Sequence, residues 1–395
     1  MQPFAVARLP RIEFGPGRRA LLPERVRAFG DRALLFTGAC TVERDPAVAA
    51  LLQSLERAGI AFERIRIDGE PSPEQVDGIV AGHRDAGVDV VVAIGGGSVL
   101  DAAKAVAGLL RIGDSVMDYL EGVGPEKTYR GPAVPFIALP TTAGTGSEAT
   151  KNAVLSRQGP DGFKKSFRDE RLVAQWAIVD PDLLAGCPPA LIAANGMDAL
   201  TQLIESYVSL RHGPFTDALA VSGLRAARDG LLAWYQGGAD AAEGRARMAY
   251  AALLSGITLA QAGLGSVHGL ASPLGAFFPI PHGVACGTLV AAATRVNIAA
   301  LEAREPDHPA LARYARLGEI LCARRMRDPA AARTALLDWL EDLTGRLDLP
   351  PLAAHGVGAA DLDRIVAHSR GSSMKTNPIV LTDAEIRAIL EARLG

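Results

Sequence analysis

The strongest constraint on this chain is local. Residues 88–106 read VDVVVAIGGGSVLDAAKAV, an apolar run that ends in Gly95, Gly96 and Gly97 and passes at Ser98 into an alanine-rich helical pattern. An apolar run of this length bounded by glycine fits a strand buried on both faces, and such strands belong to parallel sheets covered by helices. Three residues without a Cβ let backbone approach a ligand closely, and the N–H groups at the helix start favour an anion. The functional reading is a diphosphate site; the alternative is a tight strand-to-helix turn that needs glycine on steric grounds alone.

A second loop, PTTAGTGSEAT at residues 140–150, follows the β-like run 135–139 and gathers Thr141, Thr142, Gly144, Thr145, Gly146, Ser147 and Glu148. Hydroxyls and bare backbone at a strand end supply donors for a nucleotide in the crevice outside a parallel sheet. A turn that caps a helix through Ser147 explains one or two of those hydroxyls equally well. Neither loop has G-x-G-x-x-G spacing, so a dinucleotide reading rests on the two loops together.

Up to about residue 180, β-like runs at 32–37, 62–67, 88–94, 135–139 and 176–179 alternate with helical stretches such as 46–58 and 73–86. That alternation predicts a parallel sheet with helices on both faces. Beyond Asp180-Pro181 the β-like runs nearly vanish and Ala/Leu-rich helical stretches continue to the end. The expected fold is an α/β N-terminal domain with Rossmann-like nucleotide binding over 1–184 and an all-α domain over 185–395, in line with the two to three domains that 395 residues suggest. The N-terminal β-like run is expected to be free to pair across a dimer.

Composition removes several function classes. A balance of 41 basic against 44 acidic residues, with no dense Lys/Arg run, argues against nucleic-acid or anionic-lipid partners. Four cysteines, Cys40, Cys187, Cys286 and Cys322, lie far apart with no C-x-x-C, which suits reduced thiols and a cytoplasmic location. The opening MQPFAVARLPRIEFG forms no apolar signal core, and no run of ~18 uncharged apolar residues follows, so neither export nor membrane insertion is expected.

The second half carries a different chemistry. Asn195-Gly196-Met197-Asp198 reads as the opening of a helix, which puts Asp198 and Gln202, at i and i+4, on one face. Of the seven histidines, His268 and His282 stand 14 positions apart (282 − 268) in glycine-flanked apolar surroundings. Burying two imidazoles requires partners. A metal shared with Asp198 is one solution, and ordinary hydrogen-bonded core or capping histidines are the other. A divalent metal would suit hydride chemistry, because it polarises a carbonyl oxygen.

GGGSVLDAAKAVA, PTTAGTGSE, Lys164 followed by IVDPDLL, GMDALTQLIESYVS and VHGLASPLGAFFPIPHG occur in one order through nearly the whole chain, which closes with Asn377-Pro378 and a terminal helix. In this the chain resembles the iron-containing (group III) alcohol dehydrogenases, relatives of glycerol dehydrogenase and dehydroquinate synthase. The resemblance implies NAD(P) on Gly95, Gly96, Gly97 and Ser98, with Asp101 supporting the loop and Thr141, Thr142, Thr145 and Ser147 near the nicotinamide half. It also implies that Lys164 and Leu183 lie along the cofactor, and that Asp198, His268 and His282 occupy three of four positions for Fe²⁺ or Zn²⁺. Eight glycines (95, 96, 97, 144, 146, 196, 269 and 283) are then expected to make room for cofactor or metal.

Three departures stand out. The family's fourth ligand, a His four residues after the Asp, is Gln202 here, and a neutral amide oxygen is the weaker donor. A second family His, four residues beyond the first glycine-flanked one, is Ser272, which passes a proton or binds substrate oxygen but is no base near pH 7. At the end of the first β-like run, Gly38 stands where NAD-specific relatives carry an Asp, which admits NADP(H). The resemblance implies an NAD(P)-dependent oxidoreductase interconverting a small alcohol with its aldehyde or ketone, with Asp198, His268, His282 and Ser272 as the chemical residues, and a homodimer. The alternatives are a metal-independent reductase of the maleylacetate reductase type, a dehydroquinate synthase-like lyase and an inactive nucleotide-binding relative.

Overall fold

The computed structural model describes residues 4–39 and 41–395, so that Cys40 lies outside the described residues. Contacts divide the chain into two units. One comprises Ala7–Arg157 and Gly162–Pro188; the other comprises Pro189–Gly395 together with residues 4–6 and Gln158–Asp161.

The first unit is built on strands β1 (Arg11–Phe14), β2 (Arg32–Gly38), β3 (Ala61–Ile67), β4 (Val90–Gly95), β5 (Phe136–Pro140), β6 (Asn152–Arg157), β7 (Phe163–Arg168) and β8 (Trp176–Val179). Six of them form one sheet in the order β1-β8-β5-β4-β2-β3, and every neighbouring pair is parallel. The expected parallel sheet is therefore present, and the glycine-terminated run is its central strand β4, buried along its whole length. The crossover helices begin where side chains satisfy the first free N–H groups. Asp45 caps Pro46–Arg57 and Ser72 caps Pro73–His83, each followed by a proline at the first helical position.

Two features were not anticipated. β6 and β7 form an antiparallel hairpin apart from the main sheet. Its alternation is masked by Lys164, Lys165 and Arg168, yet Leu155 and Phe167 reach the core. The N-terminal run pairs in parallel with β8 of its own chain, while Ile12 and Phe14 stay exposed on this edge strand.

The second unit is helical among the described residues. Its long helices include Pro189–Val208, Pro214–Gln236, Ala241–Ala262, Ser266–Phe277 and His282–Arg304. The last is apolar and long enough to span a bilayer, with a mean hydropathy of 1.6, but 78% of its apolar window is buried in the fold. It is the core helix of the unit.

The glycines correct one expectation. They make room for protein, not only for ligands. A Cβ on Gly95 would lie 2.5 Å from Val99, and one on Gly97 would lie 2.7 Å from Thr145 Cγ2. Gly196, Gly269 and Gly283 lie inside helices, and a Cβ on Gly283 would stand 2.3 Å from the backbone oxygen of Ala194. Gly283 thus lets the helix that opens with His282 settle on the helix that carries Asp198. Neither backbone can yield cheaply. Gly283→Ala is expected to lower stability by about 2 kcal/mol, the range of overpacked cores, read from the urea midpoint of the purified protein. An unchanged midpoint would remove this steric role.

Candidate active site

The first cluster forms where the sheet order reverses. β2 leads outward to β3, whereas β4 leads the other way to β5, so the carboxyl ends of β2 and β4 flank the crevice in which open α/β sheets bind ligands. Gly38 ends β2 and Gly95 ends β4. The helix Gly97–Leu109 follows with no side-chain cap and no acidic residue in its first turn, so its N-terminal N–H groups are left for an anion. The second loop leaves β5 alongside, where Thr141 N–H donates to Gly95 O at 2.9 Å. Gly96, Gly97, Ser98, Thr141, Thr142 and Thr145 are half-buried, with part of their surface open.

Beneath these groups lies a buried brace. The fully buried Lys104 shares its three Nζ protons among Ser147 O (2.8 Å), Ser147 Oγ (2.9 Å), Thr150 Oγ1 (3.1 Å) and Asn152 O (2.6 Å). Ser147 Oγ donates in turn to Asp101 at 2.5 Å. Burial lowers Lys104 to about 8 against the attraction of Asp101 and Glu148, and burial pushes Glu148 up to about 7. Asp101 braces the second loop through Ser147, whose hydroxyl is thereby engaged within the protein. Lys164 on β7 forms an ion pair with Glu70, and Leu183 is buried in the turn Pro181–Leu184. Lys104 escaped the sequence reading, because nothing in AAKAV marks a lysine as buried.

The second cluster gathers residues from three helices. Pro189–Val208 supplies Asp198, Ser266–Phe277 supplies His268 in its first turn, and His282–Arg304 begins with His282. His268 Nε2 stands 3.2 Å and His282 Nε2 3.7 Å from Asp198 Oδ1. Cys286, one turn beyond His282, puts its Sγ 3.6 Å from His268 Nε2 and 3.7 Å from His282 Nε2. One donor atom from each of Asp198, His268, His282 and Cys286 lies within 4.8 Å of the others. Asp198 Oδ2 is buried with no hydrogen-bond partner, which a cation would supply. The donor set fits a divalent metal ion.

Further groups orient these donors. Glu205, two turns beyond Asp198, has Oε2 2.6 Å from His268 Nδ1 and accepts from Val267 N–H at 2.7 Å. Nδ1 therefore carries a proton, and Nε2 is the nitrogen turned toward Asp198. Asn377 accepts from Ser266 N–H at 3.0 Å and donates to Asn297 at 2.7 Å, so the closing Asn-Pro motif caps the helix that holds His268. Gln202 is buried beside Asp198, with its Oε1 accepting from Ser255 at 2.9 Å. Ser272 lies one turn beyond His268 and is half-buried.

Burial alone would raise Asp198, but the charges of His282 and His268, the His268 hydrogen bond and the Gln202 amide outweigh it and hold the carboxyl at about 2. Burial would lower His268, yet Cys286 when ionised, Glu205 and Asp198 raise it well above its ordinary value. Burial also pushes the Cys286 thiol up to about 12, so near neutral pH the two carboxylates are the anions that hold the His268 proton. Glu205 and Cys286 were missed in the sequence. Their only signals are spacings, seven residues after Asp198 and four after His282.

The chain is similar to known proteins through both units. Residues 10–181 match the family model described as iron-containing alcohol dehydrogenase, and residues 192–394 match the Fe-containing alcohol dehydrogenase family, C-terminal. Alcohol dehydrogenase 4 of Saccharomyces cerevisiae is 34% identical over 360 residues, covering 88% of each chain. The crystal structure of ADH/D1, an archaeal halo-thermophilic Red Sea brine pool alcohol dehydrogenase, superposes with a TM-score of 0.90 at 28% identity, covering 100% of this chain and 99% of that one. That of sulfoacetaldehyde reductase from Bifidobacterium kashiwanohense in complex with NAD⁺ does so with a TM-score of 0.82 at 27% identity and the same coverage. The chain belongs to the iron-containing alcohol dehydrogenase family, oxidoreductases that interconvert alcohols and aldehydes.

Proposed function

We propose that this protein reduces a small aldehyde or ketone, and oxidises the corresponding alcohol, by hydride exchange with NAD(P)(H) at a site that holds a divalent metal. The observation that carries this reading is the convergence of Asp198, His268 and His282 from three helices, with both imidazole Nε2 atoms near Asp198 Oδ1 and the second carboxylate oxygen, Oδ2, buried without a hydrogen-bond partner. When bound, a nicotinamide cofactor supplies the hydride and Fe²⁺ or Zn²⁺ supplies an electrophile for the substrate oxygen.

The remaining work falls to the chain. Gly96, Gly97 and Ser98 offer backbone N–H groups to the cofactor diphosphate, and Thr141, Thr142 and Thr145 offer hydroxyls from the neighbouring loop. Asp198, His268 and His282 hold the ion, and Glu205 fixes the His268 ring so that Nε2 meets it. Ser272 is the hydroxyl next in line on the His268 helix for proton passage.

The direct test is a panel of small aldehydes, ketones and alcohols with NADH and NADPH, on protein as purified, stripped of metal, and reloaded with Fe²⁺ or Zn²⁺. Turnover that falls on stripping and returns on reloading is expected. Turnover indifferent to metal would replace this reading with a metal-independent reductase, and no turnover under any condition would sink it.

Cofactor choice follows from Gly38, which places no carboxylate at the end of β2 to repel a 2′-phosphate. A Cβ there would lie 2.5 Å from Thr41 Oγ1, so the informative variant is Gly38→Asp combined with Thr41→Ala. It is expected to shift the kcat/KM ratio toward NADH by at least ~10-fold, one repelled charge contributing about 1.4 kcal/mol. An unchanged ratio would show that β2 does not select the cofactor.

Glu205→Gln keeps the shape but removes the charge that fixes His268. Zinc affinity, measured by chelator competition, is expected to fall about 10–100-fold, as for the loss of other outer-sphere carboxylates. Wild-type affinity in this variant would end the orienting role.

A further inference from the structure

Gln202 stands where the family resemblance calls for the fourth metal donor, but the structure offers a better one. We propose that Cys286 is the fourth ligand, so that the ion sits among one carboxylate oxygen, two imidazole nitrogens and a thiolate, while Gln202 serves as a positioning residue for Asp198. This deepens the reading above and rests on it.

The argument is geometric. A tetrahedral ion with bonds of about 2.0–2.3 Å to nitrogen, oxygen and sulfur has donor-to-donor edges of about 3.3–3.7 Å. Four edges among Asp198, His268, His282 and Cys286 measure 3.2, 3.7, 3.6 and 3.7 Å. The cysteine lies at i+4 from His282, which stacks Sγ and Nε2 on one helix face over the first two turns. Burial is complete, so no solvent competes for the sulfur.

Gln202 faces other partners. Its oxygen, the amide atom that binds metals, lies 2.9 Å from the Ser255 hydroxyl, and its side chain lies against Asp198. On binding, the ion takes the place of the thiol proton, which leaves to solvent, and the Sγ–metal bond forms with no change of oxidation state. A thiolate in place of an imidazole adds one negative charge to the site, and its softer sulfur favours zinc over harder divalent ions.

The test titrates metal-free, full-length protein with Co²⁺ and Zn²⁺ near neutral pH. One equivalent of Co²⁺ is expected to bind with intense near-ultraviolet thiolate-to-cobalt absorption. Cys286→Ser should lose that absorption and weaken Zn²⁺ by more than ~100-fold, beyond the loss of an outer partner, whereas Gln202→Ala should keep it and stay within ~10-fold. On the wild type alone, X-ray absorption of the zinc-loaded protein should show one sulfur in the zinc shell at about 2.3 Å, which requires no variant to fold. Stoichiometric Co²⁺ binding without the absorption, or a zinc shell without sulfur, overturns the thiolate ligand and leaves the proposed activity standing. Absence of any metal binding overturns the metal site itself and this inference with it.

Discussion

A charge removed from water must meet partners that restore what hydration gave it, and this constraint organises both units of the molecule. In the α/β unit the charge is the Lys104 ammonium, enclosed by Ser147, Thr150, Asn152 and Asp101. Ser147 and Thr150 lie on the loop that leaves β5, Asn152 opens β6, and Asp101 shares the helix Gly97–Leu109 with Lys104, so satisfying one cation ties that helix to the second loop. Gly95 and Gly97 follow from the same packing, since any side chain there would strike Val99 or Thr145.

In the helical unit the charges are Asp198 and Glu205, two turns apart on one face of Pro189–Val208. His268 lies between them with one ring nitrogen toward each, and Glu205 also holds Val267 N–H at the start of the same helix. Asn377 and Asn297 close the network from further along the chain. Anchoring that helix start leaves His268 one orientation, and Gly283 admits His282 from the third helix. Without Gln202, a set of four possible donors is still complete through Cys286 on another helix.

Much of this was legible in the residues. The parallel α/β half could be read because buried strands such as β4 are continuously apolar and end at turn residues, and because the crossover helices begin with Asp45-Pro46 and Ser72-Pro73. Asp198, His268 and His282 stood out because histidines are few and their surroundings apolar. The β6–β7 hairpin was not legible, because its lysines and arginine disguise a strand that is only partly buried. Neither was the role of the helical glycines, which depends on which helix lies opposite.

The order of motifs along the chain determined the family, the α/β and helical halves and three of the residues around the candidate metal site, because periodicity and local residue chemistry are properties of neighbours in sequence. Tertiary structure alone decided that Cys286 faces His268, that Glu205 and not solvent meets His268 Nδ1, and that the Gln202 oxygen meets the Ser255 hydroxyl. These are distances between residues 18 to 63 positions apart. They are set by how helices pack, which no local pattern in the chain records.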